Sequence, residues 1–126
     1  MDFKRLKNSF KYAWTGLKDN YRKEQNFRIQ LGIGLIVIIC ALLMKLDWLK
    51  LFALSLTVGV VLSFEIMNSA IERYIDRISP QKDEKIGLAK DTLAGAVLIM
   101  AIISIFIGFF VFYEPILNLF YTLFYY

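Results

Sequence analysis

Three stretches almost free of charge decide what this chain can fold into. Ile29–Met44 carries no charged residue over sixteen positions, Thr92–Tyr113 none over twenty-two, and Leu51–Ala70 only Glu65. A bilayer core takes about 20 residues of α-helix, slightly fewer where flanking cations snorkel. The stretches therefore read as three spanning helices, the first short and completed by its neighbours. Composition agrees: 58% of the 126 residues are hydrophobic and the mean hydropathy is +0.54. One soluble domain of this length needs more polar surface than that.

Charge sets the expected topology. Lys4, Arg5, Lys7, Lys11, Lys18, Arg22, Lys23 and Arg28 precede the first span, and Arg73, Arg77, Lys82, Lys85 and Lys90 surround the connection after the second. Only Lys45 and Lys50 flank the first hairpin turn, and no cation follows Lys90. Basic segments stay on the cytoplasmic side. The N-terminus and the 77–90 connection are thus expected inside, and the 45–50 turn and C-terminus outside. The net charge of +4 fits flanks lying near anionic lipid, which leaves nucleic-acid binding without support. Cys40 is solitary, so it specifies neither a disulfide nor a metal cluster. The absence of histidine removes histidine acid–base catalysis and histidine metal ligation. A basic amphipathic segment follows Met1, which is not a signal-peptide pattern.

That segment repeats apolar residues every three or four positions: Phe3, Leu6, Phe10, Trp14, Leu17 and Tyr21. It reads as a helix lying in the interface, apolar edge toward acyl chains and cations toward headgroups. Trp48 suits the opposite interface, and Ser79–Pro80 is a stop for the second span. Gly95, Ala96 and Ala101 offer small surfaces for close helix packing. The expected architecture is an all-α membrane protein of one domain, 1–126. It has an amphipathic surface helix at 1–22 and spanning helices at 28–45, 48–78 and 86–115.

The chemistry concentrates on the second span. Asn68, Glu72 and Asp76 follow Glu65 at offsets of three, seven and eleven, which at about 100° per residue return to one stripe. An intramembrane carboxylate has an insertion cost of roughly 2.5–3.5 kcal/mol and usually marks function. A plain interhelical polar network is one reading of the row. Its carboxylates repel one another unless protonated or neutralised, and a divalent cation supplies the missing charge. Oxygen ligands without histidine or cysteine suit Mg²⁺, which also binds phosphate oxygens. An antiparallel hairpin of the second and third spans brings Lys90 and Asp91 to the same layer. Glu65 lies deepest, within reach of a lipid hydroxyl, and Glu72 nearer the water and a nucleotide. No GxxxxGK[ST] loop is present, so a phosphate site must be built from helix side chains. Glu24 either pairs with Lys23 or Arg28 at the surface or turns inward toward Glu72. On these residues alone an enzyme, a small transporter or ion-conducting oligomer, and a structural membrane partner all stand.

The row sits in FEIMNSAIERYIDR, Phe64–Arg77, followed by AKDTLAGAVL, Ala89–Leu98, and preceded by NSFKYAWTGL, Asn8–Leu17, and EQNFRIQ, Glu24–Gln30. In these segments and their order the chain resembles the small integral-membrane diacylglycerol kinase and undecaprenol kinase family. The resemblance implies an ATP-dependent lipid kinase of the cytoplasmic membrane, homotrimeric, with active sites between subunits. It implies Glu65 as general base, and Glu24 and Glu72 as ligands of Mg²⁺. Asn68, Lys90 and Asp91 then fall at polar catalytic positions and Asp76 on the nucleotide side. Arg5, Tyr12 and Gly16 fall at nucleotide-contacting positions, and Arg28, Ser69 and Ala94 at lipid-contacting ones. Gln30 departs from an acid seen in some members. NFRIQ and KDTLAGAVL are nearer the polyprenol-using branch, so undecaprenol is the expected acceptor and diacylglycerol the alternative.

Overall fold

The computed structural model describes residues 2–81 and 83–125, without the side chain of Tyr125. Lys82, counted above among the basic residues, lies outside them. Four helices follow in order: α1 Phe3–Lys23, α2 Gln25–Leu43, α3 Trp48–Ile78 and α4 Glu84–Tyr125. The all-α expectation holds, and α2, α3 and α4 are each long and apolar enough to cross a membrane.

Each helix start has a local cause. The Asp2 carboxylate accepts from the backbone N–H groups of Lys4 and Arg5 at 3.1 and 3.3 Å, opening α1. Asp47 does the same for Leu49 and Lys50, both at 3.0 Å, opening α3. The Asp83 carboxylate accepts from Lys85 N–H at 2.8 Å where α4 begins. Such caps satisfy amides that have no partner in the first turn. Between α1 and α2 there is no loop: Glu24 alone leaves helical geometry, at φ −100° and ψ 114°.

Helix α2 ends in a Schellman turn, with Lys45 N–H on Leu42 O and Leu46 N–H on Ala41 O, both at 3.0 Å. The turn needs a left-handed residue after the last helical one. Lys45 supplies it at φ 55°, where glycine is the usual choice. Helix α3 stops before Pro80, and Ser79 N–H closes its last turn on Ile75 O at 2.9 Å. Helix α4 does not end near 115 as expected. It continues through Pro115 for 42 residues in all, about 63 Å at 1.5 Å per residue. An apolar environment offers freed backbone groups no water, so continuing the helix outweighs the bond proline removes.

Helix α3 is the centre of the chain, packed against both α2 and α4, while α1 touches α2. The closest approach is at Gly34, where a Cβ would meet Val58 Cγ1 at 2.6 Å. Gly95, by contrast, has nothing within 4 Å of a Cβ placed there. The interior is small: Phe27, Ala41 and Leu54 are the buried apolar side chains among the described residues, and Asn20, Glu65 and Ser69 are buried with them. Large apolar residues such as Phe10, Ile36, Phe52, Ile105 and Phe110 remain exposed, as they must where lipid or another protein chain is the surrounding medium.

Candidate functional site

Helix α3 presents its acids in order of increasing exposure. Glu65 is 3% exposed, the Glu72 side chain 47% and the Asp76 side chain 59%. Seven residues separate Glu65 from Glu72, a rise of about 10 Å. The row therefore runs from an enclosed end to an open one.

At the open end α4 contributes a cation. Lys90 Nζ lies 3.1 Å from Glu72 Oε1 and 2.8 Å from Asp76 Oδ1. The hairpin of α3 and α4 is what brings these three together, as their spacing predicts. One ammonium between two carboxylates relieves their repulsion and leaves a compact, mixed-charge cluster at the open end of the row.

At the enclosed end the partner is neutral. Gln30 Nε2, on α2, donates to Glu65 Oε2 at 3.1 Å, and no cation pairs with Glu65 among the described residues. A buried carboxylate held by one amide, with a lone pair free, suits proton acceptance. Gln30 also lines an apolar groove of about 370 Å³ between α2, α3 and α4, walled by Gly34, Val58, Val61, Ala101 and Phe112. Glu65 is thus joined, through Gln30, to one end of a lipid-compatible groove.

The other acid of interest, Glu24, sits at the α1–α2 joint. Neither Lys23 nor Arg28 pairs with it. Lys23 binds Asp19 at 2.8 Å, and Arg28 Nη1 donates to the carbonyls of Tyr21 and Arg22 at 2.9 and 3.1 Å. The nearest cation is Arg73 on α3, whose Nε is 3.8 Å from Glu24 Oε1. Arg73 Nη1 also donates to Asp19 Oδ2 at 2.8 Å, and its Nη2 to Asn20 Oδ1 at 3.2 Å. This arginine, expected from sequence only as a flanking charge, ties the surface helix to α3. The signal available was its place beside Glu72; what it reaches is set by tertiary packing. The Lys23 bond, with Arg73 behind it, holds the Asp19 carboxyl below its ordinary range.

The remaining predicted residues are more dispersed. Ser69 is buried one turn beyond Glu65, its carbonyl accepting from Arg73 Nε at 3.2 Å. Asn68 is half-buried on the acidic stripe, and Asp91 and Ala94 are exposed on α4. Arg5, Tyr12 and Gly16 lie on exposed turns of α1. Arg5 is fourteen residues before Asp19, about 21 Å along the helix, so within one protomer it does not reach the acidic row. Among the described residues no three His, Cys, Asp or Glu side chains converge as a metal cage. Glu24 and Glu72 still offer hard oxygen donors, and Mg²⁺ needs only one or two carboxylates when phosphates and water complete its shell.

Residues 11–112 match the family model described as prokaryotic diacylglycerol kinase. A diacylglycerol kinase of Synechocystis sp. is 36% identical over 112 residues, covering 88% of this chain and 64% of the relative's own length. An undecaprenol kinase of Bacillus subtilis is 33% identical over 111 residues, covering 88% of this chain and 90% of that protein. A diacylglycerol kinase of Escherichia coli is 34% identical over 103 residues, covering 82% and 84%. With four helices among the described residues, three of them membrane-length, and a buried acid bonded to a residue of an apolar groove, the chain belongs to the prokaryotic diacylglycerol kinase family, a family of membrane lipid kinases.

Proposed function

We propose that the chain transfers the γ-phosphoryl group of Mg-ATP to the hydroxyl of undecaprenol at the cytoplasmic membrane, giving undecaprenyl phosphate and ADP. The observation that carries this reading is the ordering of the α3 row, from Glu65 beside an apolar groove to Glu72, Asp76 and Lys90 at the exposed end. Glu65 Oε1 accepts the hydroxyl proton as the alcohol oxygen attacks the γ-phosphorus, and ADP departs on the opposite side. Phosphoryl transfer needs chiefly alignment and charge compensation. Lys90 supplies a point charge for the phosphates, with Asp76 orienting its ammonium. Glu72 and Glu24 would hold Mg²⁺, which would supply charge neutralisation for the phosphate oxygens. Asn68, between Glu65 and Glu72, is suited to orienting polar groups of the transfer region, and Asp91, next to Lys90 on α4, is assigned a similar role by resemblance.

The basic flanks support an inside N-terminus and an inside α3–α4 connection. They favour an orientation with the open end of the row toward the nucleotide supply. The small interior and exposed apolar faces support a homotrimer, in which Arg5, Tyr12 and Gly16 of α1 serve a neighbouring subunit's nucleotide and Arg28, Ser69 and Ala94 border the lipid. The undecaprenol choice rests on the NFRIQ and KDTLAGAVL segments, and the mainly apolar walls of the groove are compatible with it. Diacylglycerol also presents a primary hydroxyl on an apolar body, and two of the relatives above bear its name.

Parallel assays with undecaprenol and diacylglycerol in one membrane mimic test the reading. Transfer efficiency is expected to favour undecaprenol; a preference for diacylglycerol reverses the assignment of acceptor. Glu65→Gln is expected to keep assembly and lose nearly all transfer, and an active variant removes Glu65 as the base. ATP-independent ion flux through proteoliposomes, abolished by the same substitution with no lipid phosphorylated, favours a transporter instead.

A further inference from the structure

We propose that Gln30 is a positioning residue for the reaction: its side-chain amide fixes which oxygen of Glu65 receives the acceptor's proton. The inference rests on the reading of Glu65 as the base and goes beyond it. An ionised carboxylate only accepts hydrogen bonds, so the Gln30 amide must turn its NH₂ toward Glu65. The 3.1 Å bond to Oε2 occupies that oxygen and leaves Oε1 for the acceptor hydroxyl. The same constraint sends the Gln30 carbonyl oxygen the other way, where it is buried without a partner. Such an orphan is unusual in a folded protein. It is the expected consequence of an amide that cannot flip, since flipping would face its oxygen against the carboxylate.

The donor's neutrality matters as much as its position. A lysine or arginine here would also hold Glu65, but its charge would stabilise the carboxylate and weaken it as a base. An amide restrains the side chain with less loss of basicity. Its location at the head of the apolar groove puts the restraint where a lipid hydroxyl arrives. Glutamate has a freely turning terminal carboxyl, and a base misplaced by about 1 Å can lose about a hundredfold in rate.

The test compares Gln30→Met and Gln30→Asn, each in the native and the Glu65→Gln background, as purified protein in one lipid mimic with Mg-ATP. Methionine keeps the length without a donor; asparagine keeps the amide but falls one methylene short. Both are expected to lower kcat about ten- to a hundredfold with KM for Mg-ATP unchanged, because Glu72, Asp76 and Lys90 are untouched. In the Glu65→Gln background neither is expected to lower the residual rate further. Wild-type kcat in a folded Gln30→Met or Gln30→Asn protein, with Glu65→Gln inactive, overturns the proposal and leaves the base assignment standing. An equal loss in both backgrounds overturns it as well, by showing that Gln30 acts independently of Glu65. Full activity in Glu65→Gln instead defeats the underlying reading and the proposal with it.

Discussion

Two residues show how differently charge is handled at the two ends of the α3 row. Lys90 bonds both Glu72 and Asp76, so its removal leaves two facing carboxylates without compensation and takes away the cation proposed for the phosphates. Lys90→Ala is expected to raise KM for Mg-ATP and lower kcat, together by about a hundredfold or more in kcat/KM, measured by coupled ADP release. Asp19 makes the second case. Its carboxyl is held low by Lys23 first and Arg73 second. A depressed folded value means the contribution to stability is present above the ordinary aspartate range. It is lost as pH falls through the folded value. Thermal stability in detergent should therefore drop on acidification below about pH 4, and Asp19→Asn should flatten that part of the profile. The Lys90 cluster was legible in the sequence because hairpin geometry follows from two spans and a short connection. The Asp19–Arg73 pair was not, since 54 residues separate the partners and nothing local specifies how α1 leans on α3.

At the scale of elements, the spans were readable because long uncharged runs admit few alternatives, whereas their exact contacts were not. Small side chains pointed to Gly95, Ala96 and Ala101, yet among the glycines the tight contact is at Gly34, against the stiff β-branched Val58. Gly34→Ala is expected to force α2 and α3 apart and destabilise the protomer by about 1–3 kcal/mol, seen as a lower unfolding midpoint. It should also disturb Glu65, because Gln30 lies one turn away on the same helix. The α2–α3 turn offers the opposite change. Lys45 holds a left-handed backbone at a cost of roughly 1 kcal/mol, so Lys45→Gly should raise the midpoint without altering turnover. The last span was expected to end at 115, but the helix carries on past Pro115 to Tyr125.

For the whole molecule, function and length separate. Pro115 lies 25 residues beyond Lys90, about 38 Å along α4, and the family match stops at residue 112. Removing residues 116–126 is expected to leave kcat unchanged and lower only stability, read by lipid phosphorylation and thermal unfolding of the truncated protein. The opposite holds where α1 meets α2. Arg73 grips Asp19 and Asn20 on one side of the one-residue break and Glu24 within it, like a pin through a hinge. An extra residue there would swing the whole surface helix and pull a proposed magnesium ligand off its seat. The short polar link before α4 can lengthen without such penalty. This architecture can therefore absorb insertions between α3 and α4, while its first bend is bound to a fixed length.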